Sequence, residues 1–139
     1  MSALEQILDD FAFLPDWEDR YRYLIELGGG LAPLSAEEHS DANRVMGCAS
    51  QVWLVVAEEN AGGAAHFRFR ADSDAHIVRG LLAIVIAMYD GKSAADILAV
   101  DSEAVFDTLH LAEHLSRQRS NGLRSVVERI RAEAKRRMG

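Results

Sequence analysis

The chain has 139 residues, of which 49% are hydrophobic and 27% charged, and its formal net charge is −7. A length of this order predicts one domain, residues 1–139, with a hydrophobic core of its own. The acidic balance argues against a nucleic acid partner, because phosphate backbones attract positive charge. The longest apolar run, residues 81–89, has nine residues, whereas a membrane-spanning helix needs about 20. The single cysteine excludes an internal disulfide, and we expect a cytoplasmic protein that binds no membrane.

The first part of the chain has the pattern of two helices followed by a loop. A capping box at residues 2–5 precedes apolar residues at helical spacing, and Pro15 ends that helix. Asp16 is the expected cap of the second helix. That helix ends at the triple glycine 28–30, where we expect a left-handed C-cap. Residues 33–44 lack periodicity and are predicted to form a loop.

From residue 52 the pattern changes to a period of two, which indicates strands. The alternating apolar positions are Val52, Leu54 and Val56, then Ala65, Phe67, Phe69 and Ala71. A turn at residues 60–63 separates the two runs and predicts an antiparallel hairpin. The other face of the second strand carries His66, Arg68 and Arg70, which form either an ordinary solvated row or a docking stripe for an acidic partner.

The rest of the chain is predicted to be helical. Asp74 is the candidate cap of a helix that runs to about Tyr89 and is apolar nearly all round, so it should be the central buried helix. Ser93 caps a short helix, and a further helix is predicted from Asp101 to about Leu115.

The last helix is expected to open at Ser120 or Asn121. It carries one apolar stripe, Leu123, Val126, Val127, Ile130 and Ala134. The order of helices, strands and helices predicts an α+β fold, a small antiparallel sheet with helices packed on one face.

Cys48 lies in a turn just before the first strand, after Gly47 and before small residues. A lone cysteine is ordinarily a small buried hydrophobe, but its position in a turn favours a functional role, because loops carry function more often than cores do. A reactive cysteine needs a cation or a helix N-terminus to form its thiolate. Arg44 is close in sequence, and a more distant arginine would serve as well.

Four segments of the sequence are together similar to one known family. They are residues 45–53 (VMGCASQVW), 72–81 (DSDAHIVRGL) followed by Tyr89, 114–123 (HLSRQRSNGL), and 17–28. Together they resemble the SufE family, the sulfur-acceptor proteins of iron–sulfur cluster assembly that include CsdE. The resemblance extends from about residue 4 to 135 and implies the fold shared with the IscU scaffold, which agrees with the pattern above.

The resemblance also implies an activity for Cys48. It would accept sulfur as a persulfide from a pyridoxal-phosphate-dependent cysteine desulfurase of the SufS or CsdA kind, stimulate that enzyme, and pass the sulfur to an iron–sulfur scaffold complex. No bound cofactor, no metal and no free-standing enzyme activity are implied. A single cysteine suits a carrier, because no neighbouring thiol can convert the persulfide into a disulfide.

Four further residues fall within the similar segments. Our hypothesis is that Asp72 and Arg119 anchor the loops around Cys48, with Arg119 also stabilising the thiolate; the alternative is a structural ion pair or a solvated surface. Ser50 and Gln51 are expected to contact the cysteine loop or a partner, although Ser50 alternatively only completes the turn. We also predict that Cys48 is partly sheltered in the free protein and that its loop moves outward when the desulfurase binds.

Two interpretations from other functional classes stay open. Residues 110–114 (HLAEH) match the inverted zinc-protease pattern H-x-x-E-H, and on a helix His110 and His114 share one face. A zinc-dependent hydrolase would still need a third protein ligand. The other alternative is a non-catalytic interaction module whose cysteine is incidental. Trp53 is expected either to anchor packing or to wall a cavity beside Cys48.

Overall fold

A computed structural model describes residues 2–48 and 50–138 of the chain. The elements in chain order are α1 (Ala3–Phe13), α2 (Trp17–Gly29), β1 (Val52–Ala61), β2 (Ala64–Ser73), α3 (His76–Tyr89), α4 (Ala94–Ala99), α5 (Ser102–Thr108), α6 (Leu111–His114) and α7 (Arg117–Met138). Helices flank a small antiparallel sheet, so the α+β prediction is confirmed. No helix in the described part of the chain is both long and apolar enough to cross a membrane.

The predicted hairpin is present, with β1 and β2 paired from Val52 with Ser73 to Ala61 with Ala64. Gly62 and Gly63 have φ values of 62° and 84°, which suits the two-residue turns that join antiparallel strands. The alternation is confirmed by burial, because the inward positions are nearly inaccessible. These include Val52, Leu54, Phe67, Phe69 and Ala71.

A segment before the hairpin extends the sheet at its β1 edge. Val45 N–H donates to Val52 O at 2.8 Å, and Leu54 N–H donates to Asn43 O at 2.8 Å. Residues 43–45 therefore run beside β1 like a short third strand. This pairing fixes the chain immediately before Cys48.

α3 is the central buried helix, as its all-round apolar pattern predicts. It packs between the hairpin and α2. A Cβ added at Gly80 would lie 2.1 Å from Leu24 O, and one added at Gly28 would lie 2.7 Å from Gly80 N. The two helix backbones therefore touch where they cross, and glycine is required there because no side chain fits.

α7 packs on α4, α3 and α6 through the predicted stripe. Its inward residues are Leu123, Val126, Val127, Ile130 and Ala134, all of them buried. The helix begins at Arg117, earlier than the predicted start at Ser120 or Asn121. Ser116 Oγ accepts the Arg119 N–H at 3.2 Å, so Ser116 supplies the cap and the later serine and asparagine lie inside the first turns.

The predicted single helix from Asp101 to about Leu115 is wrong. Asp101 caps α5 as expected, but α5 ends at Thr108 and α6 begins at Leu111, because His110 has a φ of 56°. Leu109 and Leu111 are both 2% exposed. Residues two positions apart point to opposite sides of a helix, so a continuous helix packed through one face would bury only one of the two leucines. The break at His110 allows both to enter the core.

Two predicted helix ends also differ in detail. Asp74 does not cap α3: the N-cap position is Ala75, and Asp74 Oδ1 accepts the Gln51 N–H at 3.0 Å. α2 ends at the triple glycine, but Gly30 has φ −88°, which is not left-handed. Its N–H donates to Leu27 O at 3.1 Å, so the last turn tightens and needs no left-handed residue.

Candidate functional site

Cys48 follows the short third strand and turns inward beneath α7. Gly47 has φ 91°, and a Cβ at that position would lie 2.6 Å from Ser125 Oγ on α7. The turn therefore favours glycine for both its conformation and its space. Cys48 is half-buried, and its Sγ donates a weak hydrogen bond to Gly122 O at 3.5 Å.

The sulfur opens onto a cavity of about 370 Å³ between the hairpin, α3 and the start of α7. Its apolar wall consists of Val52, Val78, Leu81, Leu82, Leu123 and Val126. Its polar residues are Ser50, Ser116, Gln118 and Arg119. Of the residues singled out from the sequence, the fold thus brings Cys48, Ser50 and Arg119 to one cavity, and Gln51 and Asp72 do not line it.

Burial raises the pKa of the Cys48 thiol above its ordinary value, and the positive charge of Arg44 offsets only part of this effect. A half-buried thiolate loses hydration that a single nearby cation does not replace. In this conformation Cys48 is therefore held mainly as the neutral thiol at neutral pH. Arg44, noted in the sequence for its proximity, does act in the expected direction.

Arg119 lies in the first turn of α7 and lines the cavity. Most charged residues farther along α7 are paired: Arg124 with Glu103, and Arg129, Arg136 and Arg137 with Glu133. Within residues 2–48 and 50–138, Arg119 forms no ion pair. Its charge is therefore available to a ligand at this cavity, but the cation that lowers the pKa of Cys48 in this conformation is Arg44.

Asp72 instead holds the loop on the outer face of the hairpin. His39 Nε2 lies 2.8 Å from Asp72 Oδ2, and Arg79 Nε lies 3.2 Å from Asp72 Oδ1. Burial raises the pKa of Asp72, but hydrogen bonds from His39 and Ser73 and the Arg79 charge outweigh it, so the pKa is lowered. The hydrogen bond with Asp72 raises the pKa of His39 in turn. Asp72 thus anchors residues 33–44, which lead to the cysteine, and does so without contacting Arg119.

The loop that contains His39 has a defined conformation, although its sequence has no hydrophobic periodicity. Ser35 Oγ accepts the Glu38 N–H at 3.1 Å, and Glu38 Oε1 accepts the Ser35 N–H at 2.9 Å. This is a reciprocal capping box, and the spacing Ser-x-x-Glu was its signal in the sequence. Glu38 also forms an ion pair with Arg70. The loop is thereby attached to β2 at two points.

Gln51 and Trp53 lie away from the cavity. The Gln51 backbone forms two hydrogen bonds with Asp74: its N–H donates to the side-chain Oδ1 at 3.0 Å, and its carbonyl accepts the Asp74 N–H at 3.3 Å. This ties the cysteine loop to the corner between β2 and α3. Trp53 packs edge-on against His39, with ring centroids 4.7 Å apart, on the face of β1 opposite Val52. The expectation that Trp53 walls the cavity is therefore wrong.

The basic row on β2 is satisfied by groups of this chain. Arg68 Nε lies 3.2 Å from Glu59 Oε2 and its Nη1 lies 3.0 Å from Asp90 Oδ2. Arg70 pairs with Glu38, and His66 Nδ1 lies 3.0 Å from Gly91 O. These contacts give the row a structural role and leave little charge to attract an acidic partner.

The zinc-hydrolase alternative finds no support in the geometry. His110 precedes α6 with left-handed backbone and does not share a helix face with His114. The His114 ring instead stacks on Trp17, with centroids 3.8 Å apart and planes 26° from parallel. In the described part of the chain, no group of three or more His, Cys, Asp or Glu side chains is placed to hold a metal ion.

Comparison with known proteins gives consistent matches over nearly the whole chain. A family model, described as SufE, Fe–S metabolism associated domain, matches residues 5–134. An uncharacterized SufE-like protein of Rhizobium etli is 58% identical over 135 residues, which cover 97% of this chain and 91% of that protein. A second uncharacterized SufE-like protein, from Rhizobium meliloti, is 51% identical over 138 residues, 99% of each chain.

A solved structure supports the fold independently. The solution structure of a hypothetical protein from Thermus thermophilus superposes with a TM-score of 0.70, at 23% identity, over 96% of this chain and 93% of that one. The family model and the two relatives show that this chain belongs to the SufE family.

Proposed function

We propose that this chain carries sulfur on Cys48, taking it from a cysteine desulfurase and passing it to an iron–sulfur scaffold. A role in Fe–S metabolism follows from the family. The observation that carries the finer proposal is the position of Cys48, at the mouth of a cavity that also contains Arg119. A sulfur carrier needs a nucleophile that a partner can reach and a space that shelters the sulfur afterwards.

The proposed step is an exchange between a thiolate and a persulfide. The Cys48 thiolate attacks the outer sulfur of the desulfurase persulfide, a new S–S bond forms on Cys48, and the desulfurase cysteine leaves as its thiolate. The terminal proton stays with the transferred sulfur, so no external oxidant or reductant is required. Removal of the persulfide frees the desulfurase for its next turnover, which is how the chain would stimulate that enzyme.

The same proposal assigns the catalytic desulfurization to the partner. The pyridoxal phosphate belongs to the desulfurase, and this chain acts as acceptor and activator without a cofactor or metal of its own. We place the reaction in the cytoplasm. The single cysteine supports the carrier role, since no second thiol of the chain competes for the persulfide.

Transfer requires the cysteine loop to move. Cys48 Sγ is directed toward Gly122 O beneath α7 and is half-buried, whereas attack on a persulfide held by a partner protein needs an exposed sulfur. We propose that the cysteine loop between Val45 and Val52 turns outward when the desulfurase docks and returns to the cavity afterwards. Gly47 supports this, because glycine occupies both halves of the φ range at little cost.

The supporting residues then have separate roles. Arg119 stabilises the persulfide anion, and any thiolate that forms while Cys48 lies in the cavity. Asp72 positions residues 33–44 through His39, and the backbone of Gln51 ties the loop to Asp74. Ser50 lines the cavity beside Cys48. An unchanged rate and pH dependence of Cys48 alkylation in Arg119→Ala would contradict the role given to Arg119.

Intact mass measurement tests the central claim. The protein is mixed with a pyridoxal-phosphate cysteine desulfurase and L-cysteine, and Cys48→Ser is the matched control. We expect a gain of one sulfur atom that is lost on reduction and absent from the control. No gain with several desulfurases would leave the family relationship as a statement about the fold, and a non-catalytic interaction module would then be the better interpretation.

A further inference from the structure

The cavity beside Cys48 is larger than sulfur transfer requires. A persulfide adds one atom to the side chain, whereas the cavity has a volume of about 370 Å³. Sites for small molecules begin at roughly 300 Å³. The space therefore suits a ligand in addition to the cysteine.

The walls of the cavity define the kind of ligand. Six aliphatic side chains from β1, α3 and α7 form most of the lining, including Val52, Leu81 and Val126. Such walls favour an apolar body of modest size, because burial removes hydrocarbon from water without loss of hydrogen bonds. A free sugar or a polyphosphate would lose its hydration there without compensation.

Charge selects among apolar ligands. Of the described residues that line the cavity, Arg119 is the charged one, and no carboxylate is among them. A guanidinium presents parallel donors that match a carboxylate or sulfonate. Ser116 and Gln118 also line the cavity and add hydrogen-bonding capacity beside it.

We propose that this cavity is a binding site for a small apolar monoanion, with its hydrocarbon body among the aliphatic side chains and its anionic group on Arg119. The occupant lies against Cys48, whose Sγ opens onto the same space. It therefore covers the thiol in the inward conformation of the loop and shields it from reagents. Occupancy would couple the availability of such a ligand to sulfur acceptance, and this last consequence alone rests on the proposed function.

Two probes with the same hydrocarbon body separate the apolar and the ionic contributions. Phenylbutyrate carries a carboxylate, and phenylbutanol carries a neutral hydroxyl. Binding of each to the full chain is measured by calorimetric titration, and shielding is measured as the rate of Cys48 alkylation by iodoacetamide. We expect one phenylbutyrate per chain, at least about tenfold tighter binding than phenylbutanol, since a hydrogen-bonded charge is worth this much, and slower alkylation at saturation.

Variants locate the site. Arg119→Gln should weaken phenylbutyrate binding by about tenfold or more and leave phenylbutanol unchanged. Val78→Phe, which fills the cavity, should abolish binding of both. Arg124→Gln is the matched control, because Arg124 lies on the same helix but pairs with Glu103 and does not line the cavity. The thermal transition of each variant establishes that it is folded.

Three results would overturn the proposal: no saturable binding of phenylbutyrate, binding that leaves alkylation of Cys48 unchanged, or equal affinities for the two probes. The sulfur-transfer assay fails or succeeds separately. If the chain gains sulfur but binds neither probe, the proposed ligand site is refuted and the carrier role stands. If it binds phenylbutyrate but gains no sulfur, the carrier role is refuted and the ligand site stands.

Discussion

Replacement of Gly47 by alanine should release Cys48 from its sheltered position. Gly47 has φ 91°, and an L-residue in a left-handed conformation costs about 1–2 kcal/mol. The added methyl would also lie 2.6 Å from Ser125 Oγ. That hydroxyl donates to Asn121 O at 3.1 Å, so its rotation away from the methyl gives up a hydrogen bond. Both effects disfavour only the loop conformation that directs Cys48 inward.

The magnitude follows from the strain. If the loop relieves about 1–2 kcal/mol by turning outward, the outward population rises by about 5–30-fold. Alkylation of Cys48 by iodoacetamide, followed by intact mass, should accelerate by a factor in that range. Gly47→Ala combined with Ser125→Ala removes the hydroxyl contact and retains the φ strain, so its rate should fall between those of Gly47→Ala and the wild-type chain.

The hairpin turn supplies a matched control. Gly63 has φ 84°, and a Cβ there would meet no atom within 4 Å. Gly63→Ala should therefore lower the melting temperature through similar strain and leave the alkylation rate unchanged. Equal alkylation rates in the wild-type chain and Gly47→Ala would refute the reasoning. An equal acceleration in Gly63→Ala would show that the label reports general opening of the fold.

Three other predictions concern stability, pH and motion. Gly80→Ala should lower the melting temperature, because overpacking costs about 1–3 kcal/mol or more, which exceeds the roughly 1 kcal/mol that alanine contributes to a helix. Gly29→Ala is the control and should not lower it, because a Cβ at Gly29 would have no atom within 4 Å. Equal melting temperatures of the two variants would contradict the prediction. The hydrogen bond to Asp72 raises the pKa of His39. The stability lost in His39→Gln should therefore be largest below about pH 6.5 and disappear as the pH rises through the raised pKa. A pH-independent loss of stability in denaturant titrations would contradict this prediction. Hydrogen exchange over residues 44–52 should quicken when a desulfurase is bound, and equal protection with and without it would oppose the proposed loop movement.

The elements that sequence reasoning predicted correctly are those whose burial pattern lies within one element. The alternation in the hairpin and the stripe on α7 each specify an inward face without reference to the rest of the chain. The all-round apolar character of α3 likewise predicts burial on every side. Burial of Phe67, Leu81 and Ile130 confirms these three cases.

The predictions that fail concern residues whose conformation depends on contacts with distant parts of the chain. The break at His110 allows the burial of two leucines that a helix with one buried face could not bury together. His39 meets Asp72 across 33 positions of sequence, and His39 also packs against Trp53. A sequence read in windows carries no information on such pairs.

The candidate site divides in the same way. The turn at Cys48 could be predicted from Gly47 and its small neighbours, and the presence of a nearby cation from Arg44. The partial sheltering of the sulfur, predicted from the family resemblance and the small flanking residues, is confirmed; the contact that produces it could not be predicted, because it involves Gly122, 74 positions away. The cavity could not either, since its walls come from β1, α3 and α7, whose relative placement appears only in the folded chain.

The raised pKa of Cys48 becomes intelligible when it is considered together with the movement of its loop. Burial is the dominant cause of the raised pKa, and it exists only while the sulfur lies beneath α7. Arg44 has the opposite effect and lowers the pKa. Arg44 lies at the base of the loop, where the pairing of residues 43–45 holds it beside β1. The proposed outward turn removes the first effect and keeps much of the second, so the pKa falls as the sulfur becomes accessible. Exposure and activation are then one event. A neutral, sheltered thiol reacts slowly with oxidants and other electrophiles. The thiolate forms only where a donor persulfide is present for it to attack.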